Sequence, residues 1–249
     1  MLSCRGPTVA ACAAIPLATI PHLQDNPAHA VQDRAWGAEM AEQIALRTFS
    51  IIDSLQPQTA SFIATVARGF LPVEEQAALL VEVAPGMSIN RVTDTILKST
   101  SVIPGMQIVE RDFGMLEVHH DDRGQIRAAA DALLAFYEID EGARLKPRIT
   151  SAERLTGVTG YHTQLINRMR HGDMIRQGET LYTLEVHPAG YALIAANEAE
   201  KHADIRILEI VTFGAFGRLW ISGDEENIAQ ADERIRQVLG AIEGQANPG

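Results

Sequence analysis

The strongest candidate for metal chemistry in this chain is a run of four side chains, His119-His120-Asp121-Asp122. Imidazole and carboxylate groups are common ligands of zinc. Neighbouring residues at the end of a strand point to opposite faces, however, so two adjacent histidines make a poor chelate. The run therefore favours a polar strand end that enters a turn, and we expect no metal and no other cofactor.

Motifs for covalent or phosphate chemistry are absent from the sequence. It contains no G-x-S-x-G elbow, no Walker loop, no H-E-x-x-H pair and no C-x-x-C pair. The glycines of Gly214-Ala215-Phe216-Gly217 precede a predicted strand, whereas a dinucleotide site requires a helix at that point. The sequence therefore offers no recognisable catalytic motif.

Two loops attract attention for their composition instead. One places Glu110, Arg111 and Asp112 in a tight connection between two predicted strands. The other, Thr212-Phe213-Gly214, carries no charge and contains a phenylalanine beside a glycine. A large apolar residue in a loop suggests a specific use. A charged turn is usually only a solvated loop, so composition alone assigns it no role.

Composition limits the partners that such loops can have. The 249 residues include 21 Lys and Arg against 32 Asp and Glu, and the formal charge is −11. An acidic surface repels a phosphate backbone, so nucleic acid is not an expected partner. No run of 18 apolar residues is present, which argues against a membrane-spanning helix. The two cysteines, Cys4 and Cys12, fit a reducing compartment rather than a disulfide framework.

The first 46 residues differ from the rest of the chain. Prolines at 7, 16, 21 and 27 prevent a continuous helix there. We expect residues 1–46 to form a largely disordered extension, with a short helix at 30–46. A signal peptide is the alternative interpretation, because residues 8–20 are apolar and Ala28-His29-Ala30 resembles a cleavage site.

An internal repeat organises the remainder. A shift of 103 positions aligns residues 54–121 with residues 157–224 without a gap and gives ten identities. Glu-Val-x-Pro occurs in both copies, and Phe-Gly-x-Leu follows the proline by 28 residues in each. A tandem duplication accounts for this order. It predicts two domains, at 47–147 and 148–249.

Each copy alternates strands and helices in the same order, which predicts an antiparallel sheet flanked by helices, an α+β fold. Pro85 and Pro188 are expected at the first position of a helix, where the missing N–H has no cost. Phe113 and Phe216, which align in the repeat, are expected in the core. Strands are predicted at 48–53, 79–83, 107–109 and 115–119, and again at 149–153, 181–186, 206–211 and 219–222. Helices are predicted at 60–68, 89–96, 124–137, 163–171, 191–199 and 226–242.

These segments resemble the bacterial microcompartment (BMC) shell domain in its tandem form. The resemblance is plainest in LEVHPAGYALIAANEAEKHADIRILEIVTFGAFGRLWISGDEENIAQADERI, where a strand, an alanine-rich helix, a strand and a glycine-containing loop follow one another. The strand and helix ahead of each copy, from Thr48 and from Ile149, resemble the circularly permuted version of the domain. In the first copy SLQPQTASFIATVARGFLP, LVEVAPGM and VERDFGMLEVHH resemble the tandem-domain shell proteins of α-carboxysomes.

The resemblance implies a structural shell protein, and not an enzyme, of the carboxysome, the microcompartment for carbon dioxide fixation in the bacterial cytoplasm. Three chains would form a pseudohexagonal trimer, two trimers would be able to stack face to face, and other carboxysome shell proteins would surround them. Glu110 and Arg111 match the paired charges of a gated pore, and Thr212, Phe213 and Gly214 would alternate with them around its rim. Small anions such as ribulose bisphosphate, 3-phosphoglycerate and bicarbonate would pass through it.

Three alternatives stay open at this point. The chain could belong to another kind of microcompartment. It could be an oligomeric regulatory module of α+β fold, in which Arg111 binds a small anion without any shell. An enzyme that uses a metal at His119–Asp122 is the third, although the chelate geometry argues against it.

Overall fold

The computed structural model describes residues 44–248 and contains two four-stranded antiparallel sheets. The strand order is β1-β2-β4-β3 in the first and β5-β6-β8-β7 in the second. Helices flank both sheets, which confirms the predicted α+β class. The elements of the first half are β1 (Ala45–Ile52), α1 (Pro57–Val66), β2 (Ala77–Ala84), α2 (Ile89–Ser99), β3 (Ile103–Glu110), β4 (Phe113–His120) and α3 (Arg123–Tyr137). Those of the second are β5 (Arg148–Leu155), α4 (Gly160–Met169), β6 (Thr180–His187), α5 (Tyr191–His202), β7 (Arg206–Val211), β8 (Gly217–Gly223) and α6 (Glu225–Ala241).

The repeat extends to irregularities of the backbone. In β1 the register shifts between Leu46 and Thr48, and in β5 it shifts between Ile149 and Ser151, 103 positions later. The register shifts between Pro104 and Met106 in β3 recur between Ile207 and Glu209 in β7. A β-bulge re-aims the residue that it leaves unpaired. Arg47 is that residue in β1.

Alternation along the strands divides the first sheet between two cores. Leu79, Val81, Leu116 and Val118 face α2 and α3, as the period of two in a strand requires. The intervening residues Ala78 and Leu80 face the other way and join a cluster that includes residues of both halves. The first sheet is therefore covered on both faces.

A shared core and a set of helix caps join the two halves. Phe62 of α1 belongs to the same buried cluster as Tyr191 of α5. The first backbone N–H groups of α1 have no partners inside the helix. Glu200 of α5 supplies the missing acceptors. Its carboxylate accepts hydrogen bonds from the N–H groups of Gln58 at 2.7 Å and Thr59 at 2.9 Å. A negative side chain at this end also complements the helix dipole.

Two local predictions need correction. Pro85 and Pro188 do not occupy the first position of a helix: each follows a cis peptide bond, and the helices begin at Ile89 and Tyr191. The prolines belong to the turns ahead of those helices. The helix predicted for residues 30–46 lies outside the described residues except at its end, where residues 45 and 46 belong to strand β1. Among the described helices, none has the length and hydropathy needed to cross a membrane.

Candidate pore loops

The charged loop is the turn of the β3–β4 hairpin. Glu110 pairs with Phe113 across the hairpin, which leaves only Arg111 and Asp112 in the turn. Arg111 has a φ of 54°, the left-handed region that tight hairpin turns use. Its side chain is 88% exposed, and its Nε lies 3.9 Å from Oε1 of Glu110, which is 47% exposed. The turn therefore presents an Arg and a Glu to solvent in loose contact with each other.

The uncharged loop of the second half lies beside this turn. Gly214 has a φ of 93°, a conformation that favours glycine, and a Cβ there would be 3.7 Å from Cγ of Glu110. Phe213 is half-buried. Thr212 is buried, and its Oγ1 lies 3.9 Å from the sulfur of Met106 on β3. The fold thus brings Glu110, Arg111, Phe213 and Gly214 to one edge, with Thr212 beneath them.

Beneath both loops lies a group of four side chains that the sequence did not predict. Phe113 ends the charged turn, and the guanidinium of Arg47 stacks 3.5 Å from the centroid of its ring. The same guanidinium contacts Nε2 of His187 at 3.2 Å. The His187 ring packs 5.7 Å from the ring of Phe216, which ends the uncharged loop. We call Phe113, Arg47, His187 and Phe216 the bridging cluster.

A buried carboxylate holds the bridging cluster in place. Arg47 donates from Nε to Oε1 of Glu82 at 2.9 Å, and Glu82 is 1% exposed. The other oxygen, Oε2, accepts from the Thr48 hydroxyl and from the N–H of Gly190, each at 3.0 Å. Burial raises the pKa of Glu82, and the charge and hydrogen bonds of Arg47 oppose this. Burial and the neighbouring Arg47 both lower the pKa of His187.

The prediction that Phe113 and Phe216 are core residues is wrong, because both are half-buried. One face of Phe113 is covered by a guanidinium, and the ring of Phe216 packs beside an imidazole. Both rings close exposed loops. His162, His171 and His202 are exposed, whereas His187 is half-buried in the bridging cluster.

The histidine run at the end of β4 divides between two environments. His119 is buried, and its Nδ1 lies 3.1 Å from Oε1 of the buried Glu117. His120 lies nearer the surface, where its Nδ1 accepts from the N–H of Asp122 at 2.8 Å. Burial raises the pKa of Glu117, and contact with His119 opposes this. Over residues 44–248, no three His, Cys, Asp or Glu side chains are close enough to hold a metal ion.

Comparison with known proteins identifies the family of the chain. The family model described as the CsoS1D N-terminal domain matches residues 46–143. The carboxysome shell protein CcmP of Synechococcus elongatus is 44% identical over 206 residues, which are 83% of this chain and 97% of that protein. The chain belongs to the tandem-domain BMC shell proteins. The carboxysome shell protein CsoS1D of Hydrogenovibrio crunogenus is 43% identical over 79% of this chain and 96% of its own length.

Solved structures of tandem-domain BMC shell proteins share the fold along nearly their whole length. The fused permuted hexameric shell protein MSM0275 from the RMM microcompartment is 43% identical, with a TM-score of 0.78 over 80% of this chain and 98% of that one. The double ringed trimeric shell protein MSM0271 is 37% identical, with a TM-score of 0.79 over 82% and 100% of the two chains. This chain is accordingly a carboxysome shell protein with a structural role, and not an enzyme.

Proposed function

We propose that three chains form a ring with a central pore for small anionic metabolites, and that Glu110 and Arg111 gate this pore. Each chain contributes two domains, at 47–147 and 148–249, so that three chains supply six domains around the axis. One related shell protein is described as double ringed and trimeric, which supports stacking of two such rings.

The observation that carries the ring is a difference in exposure between equivalent residues of α1 and α4. Phe62 of α1 is 3% exposed because it packs against the second half of the same chain. Its equivalent in α4, Leu165, is 59% exposed. Ile63 and Ile166, one position later, are both buried. The fold of each half is therefore the same, and Leu165 lacks only the neighbour that Phe62 has.

Other equivalent positions show the same difference. Tyr161 and Met169 extend the exposed stripe of α4, and an apolar groove of about 260 Å³ runs beside it, lined by Ile166, Leu208 and Trp220 among others. On the first half, whose surface would meet α4 of the next chain, Val109 is 40% exposed, whereas its equivalent Thr212 is buried. A group of exposed apolar side chains beside an apolar groove favours contact with another protein. Repetition of the contact between halves from one chain to the next would cover it and close a ring.

The gate follows from the loose contact at the charged turn. Exposed ion pairs contribute about 0–1 kcal/mol, so arrangements with Arg111 paired to Glu110 or turned into the opening differ little in free energy. A ring of three guanidinium groups favours phosphorylated anions such as ribulose bisphosphate and 3-phosphoglycerate. Phe213 and Gly214 would complete the rim between the charged turns, with Thr212 as their anchor.

Light scattering tests the ring. We expect about 81 kDa, three times the 27.1 kDa of one chain, or about 163 kDa for stacked rings. Leu165→Glu places a charge in the proposed contact and should give a monomer. Phe136→Glu is the matched control, because Phe136 is also an exposed apolar residue but lies on α3. A monomeric or dimeric parent chain would refute the ring and favour the small-anion regulatory module.

The gate is tested separately with Arg111→Ala in a protein of the expected mass. The side chain is exposed, so stability should change by less than about 0.5 kcal/mol. Structures of this variant should show a different distribution of open and closed turns from the parent. An unchanged distribution would remove the gating role and leave the ring intact.

A further inference from the structure

The bridging cluster connects the two pore loops within one chain, and its hydrogen bonds are consistent with only one protonation state of His187. Asn247 is oriented by its amide nitrogen, which donates to the carbonyl oxygens of Lys146 at 2.8 Å and His187 at 3.0 Å. Its Oδ1 therefore faces Nδ1 of His187 at 2.9 Å and accepts a hydrogen bond from the N–H there. Nε2 is left as the acceptor for Arg47.

Protonation of Nε2 is incompatible with this arrangement. An arginine only donates, so a proton on Nε2 would place two donors and two positive charges face to face at 3.2 Å. The charged groups that act on the ring are both cations, Arg47 on β1 and Arg148 on the adjacent strand β5. Glu82 lies on the far side of Arg47, where it holds that guanidinium rather than the imidazole.

We propose that Arg47 and His187 are positioning residues that couple the two pore loops: unprotonated His187 keeps Arg47 over Phe113, and protonation displaces Arg47 and frees the charged turn. This inference rests on the proposed function of that turn as a gate. Phe113 pairs with Glu110 across the hairpin, so the support of its ring reaches the gate residue directly.

The coupling is built only into the contact inside each chain. The repeat places Thr150 at the position equivalent to Arg47, and a threonine side chain cannot reach across to a neighbouring ring. The carboxylate is retained in both copies, as Glu82 and Glu185, but Glu185 pairs with Arg218 at 3.0 Å. A ring of three chains would thus contain three proton-sensitive contacts that alternate with three insensitive ones.

The pH range follows from the direction of the pKa shift. Burial and Arg47 lower the pKa of His187 below the ordinary value near 6.5. The contact is therefore fully present above about pH 6.5 and is lost as the pH falls through the lowered pKa. At neutral pH the charged turn is held, and in acid it is released.

Fluorine NMR on the assembled protein tests the proposal. A trifluoromethyl label is attached through Asp112→Cys, beside Arg111 in the turn, in a background that carries Cys4→Ser and Cys12→Ser. Between about pH 8 and pH 5 the label should report two states, with a ratio that changes about tenfold per pH unit below the midpoint. His187→Gln retains an acceptor for Arg47 but cannot be protonated, so the change should fall below about twofold.

His202→Gln is the matched control, because His202 is an exposed histidine that contacts only its own helix, and it should behave as the parent. If His187→Gln kept the pH dependence of the parent, or the parent showed a single state throughout, the proposal would be overturned. Passage of inorganic phosphate through assembled shells is measured in parallel. Unchanged passage beside the expected NMR result would refute the gate but not the coupling.

Discussion

Replacement of Arg47 by methionine should be among the most destabilising single changes in the first half. Arg47→Met keeps a long apolar stem against Phe113 but removes the cation that Glu82 contacts at 2.9 Å. Glu82 is 1% exposed, so its carboxylate would stay buried with only the Thr48 hydroxyl and the Gly190 N–H as donors. Loss of one partner from a buried pair costs about 3–5 kcal/mol. Because two neutral donors remain, we expect a loss of about 3 kcal/mol, the lower end of that range.

The second half supplies the comparison. Arg218 pairs with Glu185, the equivalent of Glu82, but the two side chains are 49% and 30% exposed. Arg218→Met should therefore cost no more than about 1 kcal/mol. The double variant Arg47→Met with Glu82→Gln, which removes the buried charge as well, should recover most of the loss. Urea unfolding at a fixed chain concentration measures all four proteins, since assembly makes stability depend on concentration.

The pH dependence offers an independent check. Burial raises the pKa of Glu82, and removal of Arg47 would raise it further. A carboxyl group with a raised pKa favours the folded state at low pH, and that contribution is lost as the pH rises through its folded pKa. The deficit of Arg47→Met should therefore shrink as the pH falls toward about 4.5. A deficit below about 1 kcal/mol at neutral pH, or one equal to that of Arg218→Met, would refute the reasoning.

Two further changes test the loops and the junction. Phe113→Ala should lower the free energy of unfolding by about 1–2 kcal/mol, because the ring is half-buried and stacks on Arg47. Leu116→Ala removes a fully buried side chain and should cost about 2–5 kcal/mol. Equal losses for the two variants in urea unfolding would show that Phe113 is a core residue after all. Glu200→Ala leaves the first N–H groups of α1 without their acceptor and should cost about 1–2 kcal/mol of stability. Amide hydrogen exchange should become faster at Gln58 and Thr59 alone. Exchange that became faster uniformly across the chain would contradict a local cap.

The repeat made most of the architecture predictable from sequence. Glu-Val-x-Pro marked the ends of β2 and β6, and a shift of 103 positions reproduced even the bulges of β1 and β5. Hydrophobic alternation and helical periodicity are local signals, and both can be recognised in a single sequence. Glu110 was predicted in the connection after a strand at 107–109, and the structure makes it the last residue of β3.

The bridging cluster could not be predicted for physical reasons. Arg47 is separated from His187 by 140 positions, and its direction depends on a bulge that no periodicity reveals. Comparison of the two copies does not reveal the role of Arg47 either, because the equivalent position in the second copy is Thr150. The burial of Phe113 was misjudged on the same ground: its cover is an arginine from a distant part of the chain. Features that arise from the divergence of the two copies require coordinates.

The cap that Glu200 provides for α1 has a consequence for assembly. Because α1 and α5 belong to one polypeptide, the two surfaces meet at an effective concentration in the millimolar range, however dilute the protein is. Half of the contacts in the proposed ring would thus form during folding, and only the other half would require collisions between chains. The covalent link also fixes the order of the two kinds of domain around the circle. In the proposed head-to-tail ring two identical domains would not be neighbours, so each copy could carry a different loop.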